Sequence, residues 1–105
     1  MPEDSVETAV LTMELDAADA AALVAVLAKY VVVTRGQDGC RNVDLCASTT
    51  QDGRFVVISK WSSAAGARGH LDSDAAVEMA RACEGILLRP PRLDLLEGLS
   101  AHDLA

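Results

Sequence analysis

Two extended segments separated by four turn-forming residues constrain this chain more than any other feature. Cys40 to Thr49 alternates, with Val43, Leu45 and Ala47 on one face and Asn42, Asp44 and Cys46 on the other, which is the period of a half-buried strand. Arg54 to Trp61 is rich in Phe, Val and Ile, side chains that suit a pleated surface. Thr50-Gln-Asp-Gly53 lies between them and supplies turn chemistry, so the two segments are expected to form an antiparallel hairpin. The second of these strands ends in the only Trp, Trp61, and runs directly into a short segment ending in His70. A pocket wall with a titratable group beside it is the expectation there.

The remaining pattern surrounds that hairpin. Val6 to Leu15 alternates, with Leu11, Met13 and Leu15 on one face and Thr8, Thr12 and Glu14 largely on the other, giving a first strand. Asp16 offers an N-cap for a helix over Ala17 to Thr34, whose stripe is Leu23, Val26, Leu27, Tyr30 and Val33. Gly36-Gln-Asp-Gly39 breaks that helix. After Trp61, Ser62 or Ser63 can cap a short helix to about Leu71, and Asp72-Ser-Asp74 another, with Val77, Ala80, Cys83 and Leu87 at helical intervals. Pro90-Pro91 forbids further helix, and Leu93 and Leu95 alternate with Arg92 and Asp94 as a last strand.

Strand, helix, strand, strand, helix, strand, with two right-handed crossovers, is the split arrangement of an α+β ferredoxin-like sandwich, one antiparallel sheet with helices on one face. A chain of 105 residues suits one domain, with a core over about 6–97 and a polar tail over 98–105, in which His102 is given no role. Half the residues are hydrophobic, yet no second layer remains to cover the other sheet face. A second copy of the chain is therefore expected to cover it, giving a homodimer.

Charge and cysteine content exclude several function classes. Sixteen acidic residues against nine basic give a formal charge of −7, and no Lys/Arg stripe is available to neutralise a phosphate backbone, so nucleic acid is not an expected partner. No apolar run approaches the roughly 18 residues that cross a bilayer, and Met-Pro-Glu-Asp-Ser opens the chain with acid where a secretory leader carries base. No membrane association and a cytoplasmic location are the expectations. The three Cys form no Cys-x-x-Cys pair, and Cys40 and Cys46 would lie about 20 Å apart along a strand, beyond disulfide reach. Reduced thiols and no metal site are expected, with Cys46 and Cys83 acting as small hydrophobes.

At this point the residues resemble the antibiotic biosynthesis monooxygenase family of dimeric α+β barrels. The likeness is carried by Asp38-Gly39-Cys40 opening the second strand, Asp52-Gly53-Arg54-Phe55 entering the third, Trp61 followed nine positions later by His70-Leu71-Asp72-Ser73, and Pro90-Pro91 before the last strand. It spans Leu11 to Leu96. The resemblance implies a ferredoxin-like protomer, a barrel built from two sheets across a twofold axis, and a pocket in each subunit between sheet and helices. Similar proteins include oxygenases that hydroxylate anthrones or quinols without metal or flavin, haem-degrading enzymes, and members with no defined activity.

The sequence departs from that family in four places. Ser59 stands where members often carry Glu, and Val43 where the second strand often carries an aromatic residue. No amide accompanies Trp61 on its own strand face, which holds Ser59, Val57 and Phe55; Asn42 on the neighbouring strand is the candidate substitute. Haem-degrading members place a His on the second helix, whereas Ala76 to Leu87 has none, which disfavours haem.

Cofactor-free oxygenation needs a protein that deprotonates and encloses its substrate, and His70 is the natural base because an imidazole titrates near ~6.5. Its competing reading is a helix-end His bonded to a backbone carbonyl or exposed to water. Trp61 offers a flat apolar surface and one donor, or plain core packing. Leu23, Leu27, Tyr30, Phe55 and Met79 are expected to line the pocket, and Arg81 or Arg68 to pair an anionic substrate where a helical Arg is otherwise solvated. Asn42 and Asp44 share a strand face and could orient a hydroxyl. The reading that emerges is a cofactor-independent monooxygenase acting on a quinol, anthrone or related aromatic compound, with no cofactor and a small apolar or aromatic ligand. The alternative is a non-catalytic dimeric binding or accessory domain of the same fold.

Overall fold

The computed structural model describes residues 8–100. Four strands and three helices follow in the order β1 (Ala9–Asp16), α1 (Ala20–Arg35), β2 (Cys40–Ala47), β3 (Arg54–Trp61), α2 (Ala64–His70), α3 (Asp74–Ala82) and β4 (Arg92–Glu97). The strands form one antiparallel sheet in the order β2-β3-β1-β4, so the expected ferredoxin-like α+β fold is the observed one. The crossover from β3 to β4 contains two helices where the sequence pattern indicated a short helix and a longer one reaching Leu87. The first strand's expected start at Val6, and His102 in the tail, lie outside the described residues.

The hairpin is set by local chemistry. β2 stops at Ala47, short of the expected Thr49, because the Ser48 hydroxyl accepts the backbone N–H groups of Thr50 and Gln51 and turns the chain. Gly53 takes φ 78°, a left-handed conformation that a side chain disfavours, and its carbonyl accepts the Ala17 N–H at 2.8 Å. That bond docks the turn onto the end of β1.

Two helix expectations need correction. Asp19, not Asp16, caps α1, its carboxylate accepting the Ala22 N–H at 3.1 Å. Asp16 remains in β1 because Arg54, its register partner on β3, holds its carboxylate through Nε at 2.8 Å and Nη2 at 3.2 Å. The buried stripe of α1 is Leu23, Leu27, Tyr30, Val31 and Thr34, so Val33 faces outward at 47% exposure. On α3 the buried positions are Ala76, Met79 and Cys83, while Val77 is 40% exposed and Ala80 is exposed. The expected stripe was displaced because α3 docks against α1, and that contact sets which face turns inward.

The core lies between the helices and one sheet face. Register pairs Leu11 with Ser59 and Leu95, Met13 with Val57 and Leu93, and Val43 with Ser59, so these side chains share the helix side. Leu15, Leu23, Leu27 and Val43 are fully buried. The opposite face presents Val10, Thr12, Val56, Ile58, Asn42 and Leu96, with no helix over it among the described residues. Among the described residues no helix is long and apolar enough to cross a membrane.

Candidate functional site

Three elements converge on His70. α2 begins where the Ser63 hydroxyl caps the Gly66 N–H, and its seven residues end at His70, which places the imidazole over the end of β3. The His70 ring stacks on Trp61 with centroids 4.7 Å apart and planes inclined 31°. From α1, the Tyr30 hydroxyl lies 2.5 Å from His70 Nε2. From the turn after α1, Gln37 Oε1 lies 2.7 Å from His70 Nδ1, with the Ser73 hydroxyl at 3.4 Å. His70, Trp61 and Tyr30 are all buried.

This geometry assigns the tautomer. Gln37 Oε1 is an acceptor, so Nδ1 carries the proton and donates to it, which leaves Nε2 with the lone pair that receives the Tyr30 O–H. Burial pushes the His70 pKa below its ordinary value of 6.5 and raises that of Tyr30 to about 12, because both charged forms lose hydration. The resting pair is therefore a neutral imidazole and a protonated phenol. The helix-end competing readings for His70, a backbone carbonyl partner or water, do not describe it.

Trp61 is placed differently from a free donor. Its Nε1–H donates to Ser59 Oγ at 2.8 Å, and Ser59 in turn donates to the Leu11 carbonyl at 3.4 Å. Its flat face is available to His70, and its polar atom is spent inside the core.

Two cavities flank Met79. One of about 250 Å³ lies between α1 and α3, bounded by Val26, Tyr30, Val33 and Met79 among others. The other, about 530 Å³, opens between α3, the strands β1 and β4, and the segment leading into Pro90-Pro91; its walls include Met13, Leu71, Met79, Cys83, Leu87 and Leu93. The larger falls within the usual range for a small-molecule site, apolar with few polar groups. Cys83 lies in its wall with Sγ 3.7 Å from Met79 Sδ, and burial raises its thiol pKa.

Of the residues expected to form the site, the fold brings His70, Trp61 and Tyr30 together, and Met79 shares the wall of the smaller cavity with Tyr30. Leu23 and Leu27 are fully buried core beneath α1 and belong to neither cavity wall. Phe55 shares the helix side of the sheet but pairs with Leu15 and Ala47 at the far end of β3. Asn42 pairs with Lys60, which turns it to the face away from Trp61, where its amide bonds Asp44 at 3.1 Å. Arg81 is exposed on α3 and outside both cavity walls. Gln37 carried no signal beyond a helix break, since its contact with His70 spans 33 positions.

The sequence over residues 8–82 matches the family model for antibiotic biosynthesis monooxygenase, and the chain belongs to that family. No curated protein matches it. Among solved structures, a protein of unknown function from Nitrosomonas europaea superposes with TM-score 0.84 at 22% identity, over 95% of this chain and 97% of that one. Rv0793 from Mycobacterium tuberculosis is similar at 28% identity and TM-score 0.73, covering 86% and 92%. SnoaB, a cofactor-independent oxygenase from Streptomyces nogalater, shares the fold at 16% identity and TM-score 0.75, over 86% of this chain and 91% of that one.

Proposed function

We propose that this protein is a cofactor-independent monooxygenase of the cytoplasm that oxidises an electron-rich phenolic or anthrone-type aromatic compound as a homodimer. The observation that carries the reading is the buried Gln37–His70–Tyr30 chain, in which a neutral imidazole lone pair rests on a phenol that borders an apolar cavity. Substrate O–H or C–H ionisation delivers a proton to the Tyr30 oxygen as the Tyr30 proton moves to His70 Nε2; Gln37 Oε1 stabilises the imidazolium through Nδ1–H. The substrate anion passes one electron to dioxygen, the radical pair recombines at carbon, and the imidazolium returns its proton to the peroxide. Loss of water completes the balance, a CH₂ group and O₂ giving C=O and H₂O. Trp61 holds the imidazole plane by stacking.

Oxygen uptake with anthrone and naphthohydroquinone, in the presence of chelator and against the spontaneous rate, tests the reading. Turnover above background is expected, with His70→Gln and Tyr30→Phe each lowering it about 10²-fold or more. Uptake no faster than without protein sinks it. The dimer is supported by the apolar residues Val10, Val56 and Ile58 on the helix-free sheet face, and a monomer at micromolar concentration in sedimentation would count against it.

A second reading, a non-catalytic dimeric ligand-binding or accessory domain, is favoured by one fact: Trp61 Nε1 and His70 Nε2 already have partners within the chain. It predicts ligand binding with no oxygen uptake.

A further inference from the structure

We propose that the larger cavity takes an aromatic carboxylate bearing a single negative charge, with its ring system against Met13, Met79 and Leu93 and its carboxylate on Arg89. This cavity is separate from the smaller one that Tyr30 borders, so its occupant is a ligand of a second site and the proposal does not rest on the function proposed above.

Arg89 lies in the wall of this cavity, its side chain 54% exposed and paired with Asp16. The segment carrying it is fastened to the end of β1: Leu88 N–H donates to the Asp16 carbonyl at 2.8 Å, Ala18 N–H donates to the Ile86 carbonyl at 2.9 Å, and Leu87 bridges Ala17. Pro90-Pro91 follows at once and stiffens the exit. Arg89 Nη1 then donates to Asp16 Oδ2, fixing the guanidinium at one corner.

The same carboxylate is already engaged by Arg54 through two N–H groups. Glu14 is likewise shared, between Arg54 at 3.7 Å and Arg92 at 3.4 Å. Among the described residues Asp16 is shared by Arg54 and Arg89, so neither guanidinium has that carboxylate to itself. A guanidinium has five N–H donors in a planar fork, and Asp16 uses one corner of the one on Arg89, so the rest can meet a carboxylate edge-on.

Arg89 is the only cationic side chain in the walls of this cavity. The other walls are Met, Leu, Ala, Pro, Gly85 and the Cys83 thiol, apart from Glu84, which is exposed on the same rim. Glu84 sets a limit, since it repels a second negative charge. An apolar body with one carboxylate at the mouth satisfies every wall, and a neutral hydrocarbon leaves the guanidinium without that partner.

Binding is measured without turnover, by titrating 9-anthracenecarboxylate and its neutral analogue 9-anthracenemethanol and following anthracene fluorescence anisotropy. The carboxylate should bind the native protein about tenfold or more tightly than the alcohol. Arg89→Gln should erase that preference while alcohol binding changes by less than about twofold, and Arg89→Lys should retain part of it. Ala80→Trp, which fills this cavity, should abolish binding of both probes, and Val33→Trp, which fills the smaller one, should abolish neither. Equal binding of the two probes to native protein, or a preference surviving in Arg89→Gln, overturns the proposal. If Arg89→Gln does not fold, raising salt to about 0.5 M on native protein decides: the preference should collapse, because an exposed guanidinium is screened, and a preference unmoved by salt is the contrary result. A failed oxygen-uptake assay leaves these titrations untouched, and failed titrations leave the oxygenase reading standing.

Discussion

The half of the sheet lying under α1 and the half lying near α3 use the same aliphatic vocabulary and are packed to opposite extremes. Under α1, Leu15, Leu23, Leu27 and Val43 are 0% exposed. Toward β4, Leu93 is 52% exposed, with a space of about 530 Å³ between strand and helix. The difference follows from helix length and docking. Sixteen residues of α1 lie along the β2 side, whereas the nine residues of α3 dock against α1 rather than β4, and of the helices β4 meets only the short α2. Stability is thus concentrated in one half, and the other is left hollow enough to admit a ligand.

The largest test of that contrast is paired truncation. Leu27→Ala should cost about 2–5 kcal/mol in urea unfolding, since it opens a cavity in close-packed surroundings, whereas Leu93→Ala should cost less than about 1 kcal/mol. Equal costs would break the distinction. Next, Ser59→Ala strips the acceptor from the Trp61 indole and should lose about 1–3 kcal/mol by leaving a buried donor unpaired, read as a lower urea midpoint at unchanged slope. Enlarging side chains sharpens the contrast from the other direction: Ala67→Leu, at a 0% exposed position on α2, should destabilise by about 1–3 kcal/mol. Ala80→Leu, pointing into the large cavity, should stay within about 0.5 kcal/mol of native.

The smallest effect is in pH. The folded pKa of His70 lies below 6.5 through burial, so folded and unfolded chains bind the same protons on this group above that value. Below it the unfolded chain protonates first, and stability declines as pH falls toward the folded pKa. Tyr30 acts in the opposite direction: its folded pKa of about 12 exceeds the ordinary 10.0, so its contribution is intact below 10 and fades as pH rises toward 12. His70→Gln should flatten the acid limb of a melting-temperature profile, and Tyr30→Phe the alkaline limb. A variant whose limb matches the native one would show that the group it lacks does not cause the decline.

Much of the frame was readable in the residues. β3 runs from Arg54 to Trp61 as its composition indicated, and the caps at Ser63 and Ser73 fall where short polar side chains precede helical spacing. The α1 cap was misplaced by three positions because Asp16 and Asp19 offer the same oxygen, and only the pairing of Asp16 with Arg54 across the sheet separates them. The site was half legible. Trp61 and His70 were linked by spacing, and their stacking is real, but Asn42 lies on the other face because alternation in β2 places it opposite Lys60.

By itself the chain of residues determined the elements, their order and the ferredoxin-like sandwich, because strand alternation, turn residues and capping oxygens act over a few positions. Tertiary structure alone decided that Gln37 and Tyr30 close on His70, that α3 turns Met79 inward, and that Arg89 rather than Arg81 guards a cavity. Those contacts join positions 33, 40 and 73 residues apart, and they are made by helix docking and shared charge, which no local pattern encodes.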